Sequence, residues 1–149
     1  MKRFAFRLER LLQLRESAER ERARELGAAL REEAGRRAEA LAGEERLTQA
    51  RTQLAATASG LSHAGTLQNL GLAVDALALE WKMMSDKHER SLDKVELERR
   101  QFEQARMAKR VLERLRKQRH DTWVDAWNRW EQGQLDESAS QRFHAEGER

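Results

Sequence analysis

The chain has no cysteine and no proline, and only 5% of its residues are aromatic. Without cysteine there is neither a disulfide framework nor a thiolate metal site, which suits a reducing compartment. A loop-rich fold of 149 residues would carry several prolines, whereas helix interiors exclude them, so their absence reads as long uninterrupted helices. Scarce aromatics leave too little bulk for a thick core, and the apolar residues are expected in a stripe rather than a ball. No apolar run is long enough to cross a bilayer. The opening MKRFAFRLERLLQLRE is charged at almost every third position and lacks the apolar stretch of a secretory signal. These absences point to a cytoplasmic protein that at most lies on a membrane surface.

Charge is what the chain has in quantity. Asp, Glu, Lys and Arg make up 37% of residues, yet 29 bases against 26 acids give a net charge of only +3 and a pI near 9.7. That excess is mild for a nucleic-acid binder. Acids and bases alternate, as at Glu16, Arg20, Arg22, Arg24 and Glu25, in the manner of solvated faces of long helices.

Periodicity places a first helix over about residues 3–58. Its large apolar residues are mostly leucines, with Leu47, Leu54 and Leu61 at strict sevens; Ala29, Ala40 and Ala50 fill the same face, and Glu33 and Arg37 intrude on it. Gly60 to Gly65, with Ser59, Ser62 and Thr66, reads as a helix stop, a turn and a cap over about residues 59–66. A second helix is expected over about 67–133, followed by a fraying tail at 134–149. Its seam alternates threes and fours through Leu67, Leu70, Val74, Leu77, Trp81, Met84, His88, Ser91, Val95, Glu98, Phe102, Ala105, Lys109 and Leu112, then Arg116, Arg119, Trp123, Ala126 and Trp130. The fold class is therefore all-α, a long antiparallel two-helix coiled-coil hairpin forming one domain over residues 1–149. Facing residue numbers should sum to about 126, pairing Leu54 with Leu72, Leu47 with Leu79, Leu11 and Leu12 with Leu115, and Phe4 with the Trp123 cluster. At about 1.5 Å per residue the rod would be on the order of 90 Å long.

Between Leu67 and Met84 there are two apolar stripes, Leu70, Val74, Leu77, Trp81 and Met84, and, rotated around the helix, Leu72, Ala76, Leu79 and Met83. A two-helix hairpin buries one of them. The other calls for a dimer contact or a partner protein.

The chemistry is sparse. His63, His88, His120 and His144 lack ligand spacing, and there is no phosphate-binding glycine loop or nucleophile motif. No enzyme, metal or cofactor is expected. The most pronounced feature is a basic run, Arg106, Lys109, Arg110, Arg114, Arg116, Lys117 and Arg119, leading into Trp123, Trp127 and Trp130 on one side of a helix. The basic run fits a solvated face or an acidic protein partner better than nucleic acid, since no exposed aromatics interleave with it. The tryptophans read as a lock onto Phe4 and Phe6 at the open end of the hairpin, or as docking residues.

In the order and spacing of FAFRLERLLQLRE, AKRVLERLRKQR and WEQGQLDESASQRF, the chain resembles the FliJ family of flagellar export proteins along essentially its whole length. The resemblance implies an antiparallel coiled coil similar to the central stalk of rotary ATPases. It further implies that the open end inserts into the hexameric export ATPase FliI and promotes its activity. The protein would link that ATPase to the export gate protein FlhA, escort empty export chaperones, and sit peripherally on the cytoplasmic face of the membrane through these partners. Carried onto this sequence, the ATPase contact falls on Phe4, Leu8, Leu11, Leu12, Arg15, Lys109, Leu112, Glu113, Leu115 and Arg116. The gate contact falls on Leu77, Trp81, Met84 and His88. The heptad puts those last four in the seam whereas the resemblance wants them exposed, and the expectation taken forward is that they are exposed and Leu72, Ala76, Leu79 and Met83 buried. A related rod of a virulence secretion system, such as the YscO family, a nucleic-acid-binding coiled coil and a purely structural homodimer remain alternatives.

Overall fold

The computed structural model describes residues 3–60 and 63–147, the side chains of 139–147 excepted. Two helices make up nearly all of it, α1 (Glu9–Ala58) and α2 (Ala64–Gly147). The absence of proline, which would break the backbone ladder, is what allows helices of 50 and 84 residues.

α1 starts later than its periodicity suggests. Residues 3–6 are irregular and 7–8 form a turn, with the Glu9 N–H donating to the Phe6 carbonyl at 3.1 Å and the Leu12 N–H to that of Leu8 at 2.9 Å. Glu9 then supplies a carboxylate in the first turn, where the helix dipole favours it. The far end closes through Ser59 N–H to Ala55 (3.2 Å) and Gly60 N–H to Thr57 (3.3 Å). α2 opens immediately afterwards, the His63 carbonyl accepting from Thr66 (3.0 Å) and Leu67 (3.3 Å). Gly65 and Thr66, expected in the turn, lie in the first turn of α2. Leu61 and Ser62, read as a seam residue and a cap, fall outside the described residues. α2 runs on past residue 133, because Gly133 alone does not end a helix and no proline follows it.

The chain groups into two compact units. One, the terminal unit, joins Met1–Glu19 to Gln104–Arg149; the other, the turn unit, is Arg20–Glu103. Within each, α1 and α2 segments pack antiparallel, so the fold is an all-α antiparallel hairpin.

In the turn unit the inward residues of α1, Leu26, Ala29, Glu33, Arg36, Ala40, Gly43, Leu47, Ala50 and Leu54, alternate threes and fours. This is the spacing of a coiled-coil seam. From α2, Val74, Ser91 and Val95 are buried against them. Arg46 reaches Glu80 at 3.4 Å and Lys94 reaches Glu32 at 2.7 Å, both on the expected register. Two expectations about this unit need correcting. Leu72 and Leu79 do not face Leu54 and Leu47 but are 63% and 62% exposed, because a register fixes which turns meet and not which residue of a turn points inward. Arg37 faces outward, and its neighbour Arg36 is the half-buried one. Glu33 does intrude on the seam, where it accepts a 2.9 Å bond with His88, and Arg22 donates to Gln101 at 2.7 Å.

Gly43 decides how close the helices come. A Cβ there would stand 3.0 Å from Met84 Sδ and 3.7 Å from Trp81 Cα. The missing side chain leaves room for the Met84 sulfur, and a residue larger than alanine would also press on Trp81.

Candidate functional site

In the terminal unit a small core forms around Leu12, which is only 2% exposed, with Leu112, Leu115 and Ala108 of α2 half-buried. Flanking it are ion pairs between the helices. Lys109 Nζ lies 2.7 Å from Glu19 Oε2 and 3.6 Å from Glu113 Oε1, and Arg116 Nε lies 3.4 Å from Glu9 Oε2. The hydrogen bond that the Lys109 ammonium donates to Glu19 holds it above the ordinary lysine range, with partial burial pulling the other way.

Aromatic rings stand in a row beyond these pairs. Phe4 meets His120 edge-on at 5.1 Å and Trp123 at 6.0 Å, Trp123 meets Trp127 at 5.6 Å, and Trp127 meets Trp130 at 5.4 Å. The four-and-three spacing that puts the tryptophans on one face also lets each ring cover the next. The lock is narrower than the sequence suggests. Phe4 and Trp123 make it, Phe6 has no ring partner among the described residues, and Trp130 is 44% exposed at the outer end of the row.

Beside the row lies a cavity of about 760 Å³. Phe4, Ala5, Phe6, Leu8, Leu115 and Trp123 form its walls, together with Arg3, Arg7 and Arg119. No carboxylate lines it among the described residues.

The ten residues carried over for the ATPase contact thus fall in one unit, but with different tasks. Leu12 is buried, Leu112 is half-buried, and Lys109, Glu113 and Arg116 form ion pairs inside the unit. Phe4, Leu8 and Leu115 line the cavity. Leu11 and Arg15 are exposed. Several cations outside that set have no carboxylate partner among the described residues, Arg3, Arg7, Arg106, Arg110, Arg114, Lys117 and Arg119 among them. Composition hides this distinction, because a paired and an unpaired arginine read alike in sequence; the i±3 and i±4 positions of the facing helix carry the signal.

The four residues carried over for the gate contact lie in the turn unit. Leu77, Trp81, Met84 and His88 are half-buried and turned toward α1, with Trp81 and Met84 at Gly43 and His88 on Glu33. The expectation that they are exposed is overturned, and so is the burial of the alternative stripe: Leu72, Leu79 and Met83 stand outward. The unbroken run of threes and fours, with a glycine to admit Met84, outweighs the pull of the second stripe. Gly43 is the residue that sequence reasoning missed, although its place midway between Ala40 and Leu47 on the seam was readable.

No helix among the described residues is long and apolar enough to cross a membrane. Compared with known proteins, residues 4–148 match the family model described as Flagellar FliJ protein. No curated protein and no solved structure matches the chain.

Proposed function

The chain belongs to the FliJ family, and from that premise we propose that its terminal unit docks on the hexameric export ATPase FliI and stimulates it, while the turn unit engages the export gate protein FlhA. Membership makes the protein a non-catalytic component of the flagellar export apparatus. The finer assignments, which include escort of empty export chaperones and peripheral attachment at the cytoplasmic face of the membrane, are this proposal's own.

The observation that carries the reading is the set of uncompensated cations in the terminal unit. Lys109 and Arg116 are neutralised by Glu19 and Glu9, but Arg106, Arg110, Arg114 and Lys117 follow one another at fours and threes along α2 without a carboxylate partner among the described residues. Met107 and Val111 are exposed between them. A face of this kind draws an acidic opening toward it and offers apolar contact once there. Exposed Leu8, Leu11 and Arg15 supply the same chemistry from α1 and the segment before it. At the other site, Leu77, Trp81, Met84 and His88 present their half-exposed edges to the gate.

Arg110→Glu with Arg114→Glu is expected to lower stimulation of the purified ATPase at least about tenfold, with helicity unchanged, because neither side chain is used in the fold. ATPase activity measured with and without the variant decides it. Full stimulation by the double variant would remove the basis of the docking assignment.

A further inference from the structure

The cavity at Phe4, Phe6, Leu115 and Trp123 has a composition that the fold does not require. At the helix contact of the terminal unit two cations are matched to acids, Arg116 to Glu9 and Lys109 to Glu19. Around the cavity, Arg3, Arg7 and Arg119 are all exposed, none has a carboxylate partner among the described residues, and no acid lines the walls. Acids are not scarce here. Glu9 is two residues from Arg7 and still turns to Arg116.

The walls carry the same message. Phe4 is used structurally, against His120 and Trp123. Phe6 has no ring partner among the described residues and stays half-buried, lining the cavity with Leu8. The segment that bears them is irregular over residues 3–6, and the amides of Phe4 to Arg7 donate no backbone hydrogen bond among the described residues. Unpaired main-chain donors beside an apolar hollow are what an added peptide strand or turn uses.

We propose that this cavity receives an acidic peptide segment, with one leucine or phenylalanine side chain seated between Phe6, Leu115 and Trp123 and flanking carboxylates held by Arg3, Arg7 and Arg119. Its volume of about 760 Å³ lies within the range of ligand pockets and accommodates such a side chain with its neighbouring backbone. Arginine suits the rim because its planar fork takes a carboxylate in two parallel hydrogen bonds. A lipid surface is the poorer fit, since membranes receive apolar groups that protrude, and these line a concavity. The inference rests on the ATPase reading only for which protein supplies the segment; the chemistry of the socket stands on its own walls and rim.

The test uses the full chain and a fluorescein-labelled peptide with a single leucine between paired glutamates, followed by anisotropy. Saturable binding is expected, weakened about tenfold by Arg7→Glu combined with Arg119→Glu and again by Phe6→Asp, and unaffected by Arg51→Glu in the turn unit. Circular dichroism checks that each variant stays helical; the arginine variants keep the test decisive should Phe6→Asp disturb the terminal segment. A peptide with serine in place of leucine should bind at least about tenfold less tightly. Equal binding of the serine peptide, or undiminished binding by the arginine variants, overturns the proposal. So does failure of the peptide to bind while phosphatidylglycerol vesicles retain the chain, or while the chain self-associates through these residues in sedimentation. Stimulation of the ATPase without peptide binding sinks the socket and leaves the ATPase reading standing; peptide binding without stimulation does the reverse.

Discussion

Lys109 and Glu19 meet at 2.7 Å between the two helices of the terminal unit, with Glu113 at 3.6 Å on the other side of the same ammonium. A residue carried over as a partner contact is thus engaged in the fold. Lys109→Glu would set three carboxylates together and is expected to lower the melting temperature. Adding Glu19→Lys restores part of the loss, the repulsion between positions 109 and 113 remaining. Thermal melts followed by circular dichroism at neutral pH check this, and no recovery in the double variant would speak against the pairing.

Stability should fall at both ends of the pH scale. Hydrogen bonding to Glu19 and Glu32 raises the pKa of Lys109 and Lys94, and the bond from Lys94 lowers that of Glu32. The lysine contributions are complete below the unfolded lysine value of about 10.4 and vanish as pH rises through the higher folded values; that of Glu32 is complete above about 4.3 and vanishes as pH falls through its lower folded value. Lys94→Met is expected to soften both limbs of the profile. A variant whose acid limb matched the wild type would show that Glu32 gains nothing from its partner.

Glycines in α1 should respond oppositely by position. At Gly35 a Cβ meets nothing within 4 Å, so Gly35→Ala is expected to stabilise by about 0.5–1 kcal/mol through reduced backbone freedom. At Gly43 the sulfur of Met84 can give way but the backbone of Trp81 cannot, so Gly43→Leu should cost about 1–3 kcal/mol. Urea midpoints measured on both variants report the contrast directly.

Glu98 interrupts the seam with a buried oxygen, Oε2, that has no hydrogen-bond partner among the described residues. Replacing it with leucine removes the desolvation cost at a seam position and should raise stability by about 1–2 kcal/mol. A lowered urea midpoint for Glu98→Leu would mean that the carboxylate is satisfied in solution.

Much of the hairpin was readable because helical period and register are local or nearly local properties. Leu67 to Leu112 keep threes and fours without a gap, and the structure turns that same series inward. Beyond Leu112 the sequence pattern continues through Arg116 and Arg119, but the structure brings in Leu115 and leaves those two arginines exposed. An apolar residue one position away outcompetes a charge for the interior.

By itself the sequence determined the class of fold and the family, since each depends on composition, spacing and order along one chain. Tertiary structure alone decided which of two stripes faces α1, because Gly43, on a different helix, makes room for Met84. It also decided which cations are left for a partner. Lys109 and Arg116 are paired with Glu19 and Glu9, each at least 90 residues away in sequence, while Arg7 and Arg119 stand at the edge of an apolar hollow. Charge availability depends on distance in space, which no one-dimensional pattern records.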